Sequence, residues 1–150
     1  MITLLRTDSQ HPDYRFLIPL LDAELAVRDG SDHAFYAQFN QSDHIQHVLV
    51  GYLDGKAVAC GALKQYSLTE MEIKRMFVSP EFRGKRFAVE VLNELERWAM
   101  ELGFFECILE TGIKQPEAIA LYQRQGYKRF PNYGQYAGVE NSVCMRKVLG

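Results

Sequence analysis

No apolar run in these 150 residues is long enough to span a bilayer. There is no surplus of basic charge either: 17 Lys and Arg stand against 19 Asp and Glu, for a net charge of −2. So balanced a chain lacks the broad positive field that nucleic acid or an anionic membrane surface requires, and neither is an expected partner. Cysteine is scarce and odd in number. Cys60, Cys107 and Cys144 lie far apart, each in an apolar, strand-like run. A disulfide framework or a metal site needs closer or paired spacing, so buried free thiols in a reducing compartment and no metal are expected. Repeats, low-complexity tracts and linkers are missing. The opening MITLLRTDSQ shows no basic segment leading into a long apolar one, as a signal peptide would. One domain over residues 1–150, located in the cytoplasm, is the expectation.

What is present is an ordinary globular composition, 47% hydrophobic and 24% charged, with enough length for one core. Residues 2–7 read as a strand. Residues 11–30 carry Leu17, Leu20, Leu21 and Leu25 at helical spacing, with Pro19 as a break or kink. Residues 31–39 form a short second helix capped by Ser31 or Asp32. Two strands, 45–53 and 56–66, flank the hairpin signal Asp54-Gly55. A third strand, 69–78, alternates Met71, Ile73, Arg75 and Phe77 against Glu72, Lys74, Met76 and Val78, completing an antiparallel meander. A helix over 84–102 has the apolar face Ala88, Val91, Leu92, Leu95, Ala99 and Leu102, with Gly103 as its C-cap. A central strand (104–111), a helix (115–125) with Pro116 in its first turn, a strand (127–130), a turn-rich loop and a last strand (142–148) follow. The fold class is α/β: a mixed sheet with helices on its faces.

The stretch SPEFRGKRFAVEVL, residues 79–92, puts Arg83, Lys85 and Arg86 where a strand passes through a short loop into a helix. Such a junction offers free backbone N–H groups and the positive end of the helix dipole to an anion. Cations at a helix N-terminus are electrostatically unfavourable unless an anion joins them, so a phosphate site is favoured over a solvated face. The Gly-Lys-Ser/Thr of a triphosphatase loop is absent, as is a dinucleotide fingerprint.

The segment VSPEFRGKRFAVEVL resembles the acetyl-CoA-binding segment of the GNAT superfamily of N-acetyltransferases, whose pattern is Arg/Gln-x-x-Gly-x-Gly/Ala. Arg83 and Ala88 fill its ends, while Arg86 stands where glycine is usual. A second segment, QPEAIALYQRQGYKRF, is similar to the family's Asn-x-x-Ala-x-x-x-Tyr-x-x-x-Gly-Phe. Ala118, Tyr122, Gly126 and Tyr127 fall in place, with Gln115 for the asparagine. The separation of the two segments and the order of elements fit over nearly the whole chain. The resemblance implies a GNAT fold, a mixed sheet of six to seven strands flanked by about four helices.

It also implies acetyl transfer from acetyl-CoA, a cosubstrate, to the primary amine of a small or amino-acid-like molecule through a tetrahedral intermediate. No metal is implied. Backbone amides of residues 83 to 89 (Arg83, Gly84, Lys85, Arg86, Phe87, Ala88 and Val89) would hold the pyrophosphate. Phe77 and Val78 would lie beside the pantetheine arm, and N–H groups around Met76 and Val78 near the thioester oxygen. Gln115 and Ala118 belong to the same donor site, and Tyr122 would protonate the leaving thiolate. The parallel strands 70–78 and 104–111 would splay apart.

The base that frees the amine is Glu72, Glu110 or water; both carboxylates also suit solvated or ion-paired strand positions. His33, His44 and His47 have no mutual ligand spacing. Tyr133 and Tyr136 either line the acceptor site or anchor the loop or a dimer contact. Two other functions remain open: a non-catalytic acyl-CoA-binding or sensor domain, motivated by Arg86, and a protein or peptide N-acetyltransferase. A homodimer is compatible with the family.

Overall fold

The computed structural model describes residues 2–37 and 44–150. Its elements in chain order are β1 (Thr3–Thr7), α1 (Pro12–Asp29), α2 (His33–Ala37), β2 (His47–Leu53), β3 (Lys56–Gln65), β4 (Glu70–Val78), α3 (Phe87–Glu101), β5 (Glu106–Gly112), α4 (Pro116–Arg124), β6 (Lys128–Arg129) and β7 (Ser142–Val148). The strands form one sheet in the order β1-β2-β3-β4-β5-β7-β6. Of the neighbouring pairs only β4 and β5 are parallel. This is the expected mixed sheet of seven strands with four helices.

Local chemistry explains most boundaries. Asp54 and Gly55 both take positive φ, 51° and 81°, the combination that a two-residue turn between antiparallel strands requires. At the start of α1 the His11 Nδ1 accepts the Asp13 N–H at 3.1 Å, and Pro12 occupies the first turn, where its missing N–H is no loss. Of the break or kink read at Pro19, the break does not occur. The helix runs through it, and Pro19 and the preceding turn's Arg15 both lie on the exposed side, where water can reach the freed carbonyl. Ser31 and Asp32 belong to a 3₁₀ turn, Gly30–Asp32, rather than forming a simple N-cap. The expected helix continues beyond Ala37 into residues 38 and 39, which lie outside the described residues. The third helix begins at Phe87, not at residue 84, so the three cations precede it. Leu102 follows its last residue and is exposed, whereas Glu96 is buried in the face read as apolar.

Two layers of core cover the sheet. On one side α3 sets Val91, Leu92, Leu95 and Ala99 against Leu49, Leu63, Met71, Ile73 and Leu109. On the other, α1 sets Tyr14, Leu17 and Leu21 against Val48, Val50, Cys60 and Phe77. A smaller group joins Tyr36, Ile108, Tyr133, Tyr136 and Cys144. Cys60, Cys107 and Cys144 are buried and free, one in each group, as expected. Glu96 is accommodated among apolar neighbours because Lys147 Nζ (2.9 Å) and the Tyr127 hydroxyl (2.8 Å) each donate to one of its oxygens.

Strand β4 departs from simple alternation. Cys60 of β3 pairs with Phe77 and Ala62 pairs with Lys74, so Gly61 opposes both Arg75 and Met76. This is a β-bulge, and Arg75 takes φ 58°, left-handed for a residue with a side chain. The extra residue reverses the faces beyond it. Met71, Ile73, Met76 and Val78 all meet the α3 core, while Phe77 meets the α1 core and Arg75 bonds Asp22 of α1. The alternation expected from sequence therefore fails after Ile73. Parallel pairing of β4 with β5 also stops short of the bulge, spanning Glu70–Glu106, Met71–Cys107 and Glu72–Ile108 only. A bulge bends its strand, and from residue 73 onward β4 diverges from β5.

Gly61 is what lets α3 approach here. A methyl group at that position would lie 2.9 Å from Leu95 Cδ1, Met76 Sδ and Val91 Cγ1. Gly61→Ala is expected to destabilise the protein by about 1–3 kcal/mol through overpacking, read as a lower denaturant midpoint at unchanged m-value.

Candidate active site

The divergence of β4 from β5 opens a cleft of about 540 Å³. Met76, Phe77 and Val78 of β4 form one wall, and Leu109, Glu110 and Thr111 of β5 with Gln115, Ala118 and Tyr122 of α4 form the other. Arg83, Gly84, Arg86, Phe87, Ala88 and Val89 close one end where the β4–α3 turn enters α3, and Leu21, Glu24, Leu25 and Arg28 of α1 close the top. Glu72 lines it too. Of the residues read from the sequence as donor-site or catalytic candidates, the structure brings all to one cleft except Lys85, which is exposed and does not line it; Tyr133, His44 and His47 are not among its lining residues either.

The turn is shaped by two positive φ angles, Gly84 at 81° and Arg86 at 67°. Nothing lies within 4 Å of where a Gly84 Cβ would be, so glycine serves there for backbone conformation rather than for space. Arg86 adopts a conformation that glycine reaches with least strain, which keeps the turn's shape despite the larger residue. The first N–H groups of α3 have no helical partner, and their residues, Phe87, Ala88 and Val89, line this end of the cleft. The Arg83 side chain folds back: its Nε donates to the Val78 carbonyl at 2.8 Å and its Nη2 to Glu24 at 2.6 Å. Arg28 bridges Glu24, at 3.5 Å, and Glu117 of α4. The turn, α1 and α4 are therefore linked by alternating charges across the cleft.

The other half of the cleft is acidic, basic and aromatic at once. The Tyr133 hydroxyl donates to Glu72 Oε2 at 2.7 Å, and Lys74 Nζ lies 3.8 Å from Oε1. Glu72 is thus committed on both sides. Glu110 is not: its Oε2 is buried without a hydrogen-bond partner among the described residues. Burial pushes the Glu110 carboxyl up to about 7, against the opposing pull of Ser142 and Lys74. Burial lowers Lys74 and holds the Tyr122 phenol well above its ordinary range, with the Glu110 charge adding to the latter. Tyr122 is therefore a neutral donor at any physiological pH.

Of the two loop tyrosines, Tyr136 lines the cleft and Tyr133 anchors the loop, through Glu72 and by stacking on Phe130 at 5.8 Å. His47 packs edge-on against Trp98, and His44 is exposed. Nothing is described of the His33 side chain. Sequence reasoning missed Lys74 and Arg75 as cleft residues, along with Glu24, Arg28 and Glu117 of the charge bridge. The first two carry a signal: Ile73-Lys74-Arg75-Met76 puts two polar residues between apolar ones, which no strict two-residue period can do.

Arg86→Gly should relieve the left-handed strain and raise stability by about 0.5–1 kcal/mol, seen as a rise in Tm; a fall would show that the arginine side chain itself holds the turn.

Residues 11–127 match the profile of the Acetyltransferase (GNAT) family. The chain is 36% identical over 102 residues to an "IAA acetyltransferase" of Azospirillum brasilense, covering 67% of each protein. The match spans 67% and 65% of the length of two curated relatives, and between 26% and 61% of others. In structure it superposes with a TM-score of 0.83 on a protein assigned as an acyl-CoA N-acyltransferase of Klebsiella pneumoniae, at 29% identity over 100% of this chain and 99% of that one. A GNAT acetyltransferase of Elizabethkingia anophelis with acetyl-CoA bound shares the fold, at a TM-score of 0.70 and 15% identity over 99% and 98% of the two chains.

Proposed function

The chain belongs to the acetyltransferase (GNAT) family, and from that premise we propose that it moves the acetyl group of acetyl-CoA to the primary amine of a small acceptor by direct attack. The observation that carries this reading is the juxtaposition, in one cleft, of a buried neutral phenol, Tyr122, and a buried carboxyl poised near neutrality, Glu110. Amine acylation needs one group that gives a proton to the leaving sulfur and one that takes a proton from the amine.

The cleft has groups that fit the donor. Beyond Glu72, the edge of β4 facing β5 is released from ladder pairing, so its backbone groups are available to an extended amide-bearing arm. The N–H groups at the start of α3, with Arg86 beside them, suit a pyrophosphate. When bound there, acetyl-CoA supplies an activated thioester. N–H groups around Met76 and Val78 would stabilise negative charge on the thioester oxygen, and the Tyr122 hydroxyl would give its proton to the departing sulfur. We assign Glu110, rather than Glu72, as the group that takes the proton of the attacking amine. Glu72 is held by Tyr133 and Lys74, whereas Glu110 keeps an oxygen with no hydrogen-bond partner among the described residues. The glycine-like turn at Arg86 and the retained Tyr122 favour an enzyme over a pure acyl-CoA sensor.

Titration calorimetry with acetyl-CoA and CoA, followed by an amine screen with thiol detection, tests the reading; no binding and no thiol release with any amine would overturn it. Tyr122→Phe should lower kcat about 100-fold with acetyl-CoA affinity nearly unchanged. Activity should fall below about pH 7, because Glu110 must be ionised to act, and Glu110→Gln should abolish that limb. The sign for stability is opposite. A carboxyl raised on folding stabilises the protein at pH below its unfolded value and loses that contribution as pH rises through about 7. Glu110→Gln should therefore raise Tm more at pH 8 than at pH 5.

A further inference from the structure

The bulge in β4 leaves one charged group with its bonding capacity largely unused. The Arg75 side chain is 2% exposed, yet its Nε and Nη1 have no hydrogen-bond partner among the described residues. Its one ion pair runs from Nη2 to Asp22 Oδ1 at 2.5 Å, and the Asp22 side chain is 52% exposed. Arg75 lines the same cleft as Glu110 and Tyr122. A guanidinium cannot lose its proton to escape burial, so each unmet donor is a standing penalty, and such groups persist where a ligand meets them. Its position is also built rather than incidental. The bulge turns Arg75 to the α1 side, next to Lys74, and holds it at φ 58°. Without the extra residue it would have followed Met71 and Ile73 toward the α3 core.

Resting on the acetyl-transfer reading above, we propose that the acceptor bears a carboxylate as well as its amine, and that Arg75 is the specificity-determining residue that receives it. A planar guanidinium matches a carboxylate in shape and charge, and its strength there grows as water is excluded. Lys74 adds positive charge on the same side, and its own acid, Glu72, is shared with Tyr133. The amine end is then directed toward Glu110. An acceptor lacking the carboxylate leaves the buried donors unmet, which is the arrangement that discriminates most strongly between analogues.

The test compares amino acids with their amides and methyl esters as acceptors, at a fixed excess of acetyl-CoA, with thiol release as readout. The free acids should be preferred by about tenfold or more in kcat/KM. Arg75→Gln should erase that preference by raising the acceptor KM, leaving the KM for acetyl-CoA unchanged. Asp22→Asn, a change at a half-exposed side chain, removes the competing carboxylate and should lower the KM for the acids; it serves also if Arg75→Gln does not fold. Glutarate, as a probe that cannot be acetylated, should bind the wild type by calorimetry and bind Arg75→Gln at least tenfold more weakly. Equal rates for acids, amides and esters would overturn this proposal and leave the acetyl-transfer reading intact. Failure of every amine to release thiol, together with glutarate binding that depends on Arg75, would instead overturn the transfer reading alone. Glutarate binding that is absent, or indifferent to both substitutions, would overturn the carboxylate site.

Discussion

One inserted residue in β4 controls the rest of the architecture. Because Gly61 faces two residues instead of one, the strand bends, its pairing with β5 ends at Glu72, and a cleft opens between two strands that start out hydrogen-bonded. The same insertion exchanges the faces of every side chain that follows. Met76 and Val78 are sent to the α3 core, and Arg75 is sent to the α1 side of the sheet. The strain of a left-handed arginine inside a strand, of order 1 kcal/mol, is stored where the chemistry is expected to occur. Gly61 is its complement on β3, since only a residue without a side chain admits α3, Met76 and the bulge together.

The charges follow a division of labour. At the β4–α3 turn they form a chain, Arg83 to Glu24 to Arg28 to Glu117, that fastens α1 and α4 to the end of the sheet. These side chains are partly exposed, and each pair contributes little alone, so their role is to hold the cleft's rim in register. Deeper in, the groups are few and each is differently constrained. Glu72 accepts from Tyr133 and has Lys74 near its other oxygen, Glu110 has one oxygen unmet among the described residues, and Tyr122 is kept neutral. Environment rather than residue type separates the two glutamates on opposite walls.

The order of elements and both family motifs were legible in the sequence because they rest on local signals: apolar period, Asp-Gly at the hairpin, proline and glycine at helix ends. Alternation then misled for β4, because a period of two assumes no insertion and one bulge inverts the parity. The course of α1 through Pro19 was hidden for a related reason. Whether a proline breaks a helix depends on whether the freed carbonyl reaches water, and that is a property of the packed molecule. The burial of Glu96 was not legible in the sequence, because the partners that admit it to an apolar face, Lys147 and Tyr127, come from later in the chain. At the site, the residue types were visible but their rank was not. Glu72 and Glu110 are equivalent in one dimension and differ only by their neighbours.

The position of β7 has a consequence for how the protein is made. It enters between β5 and β6, so it is the seventh strand in the chain but sits inside the sheet. Beyond Glu72 the strand β5 has lost its parallel neighbour and depends on β7, which pairs with it from Glu106 to Gly112. One wall of the cleft consequently stays unsupported until the last strand has been synthesised and has threaded home. On the ribosome the meander and α3 can condense early, while β5 and α4 wait with an open edge. Such long-range closure is slow, and it puts the completion of this wall after that of the meander.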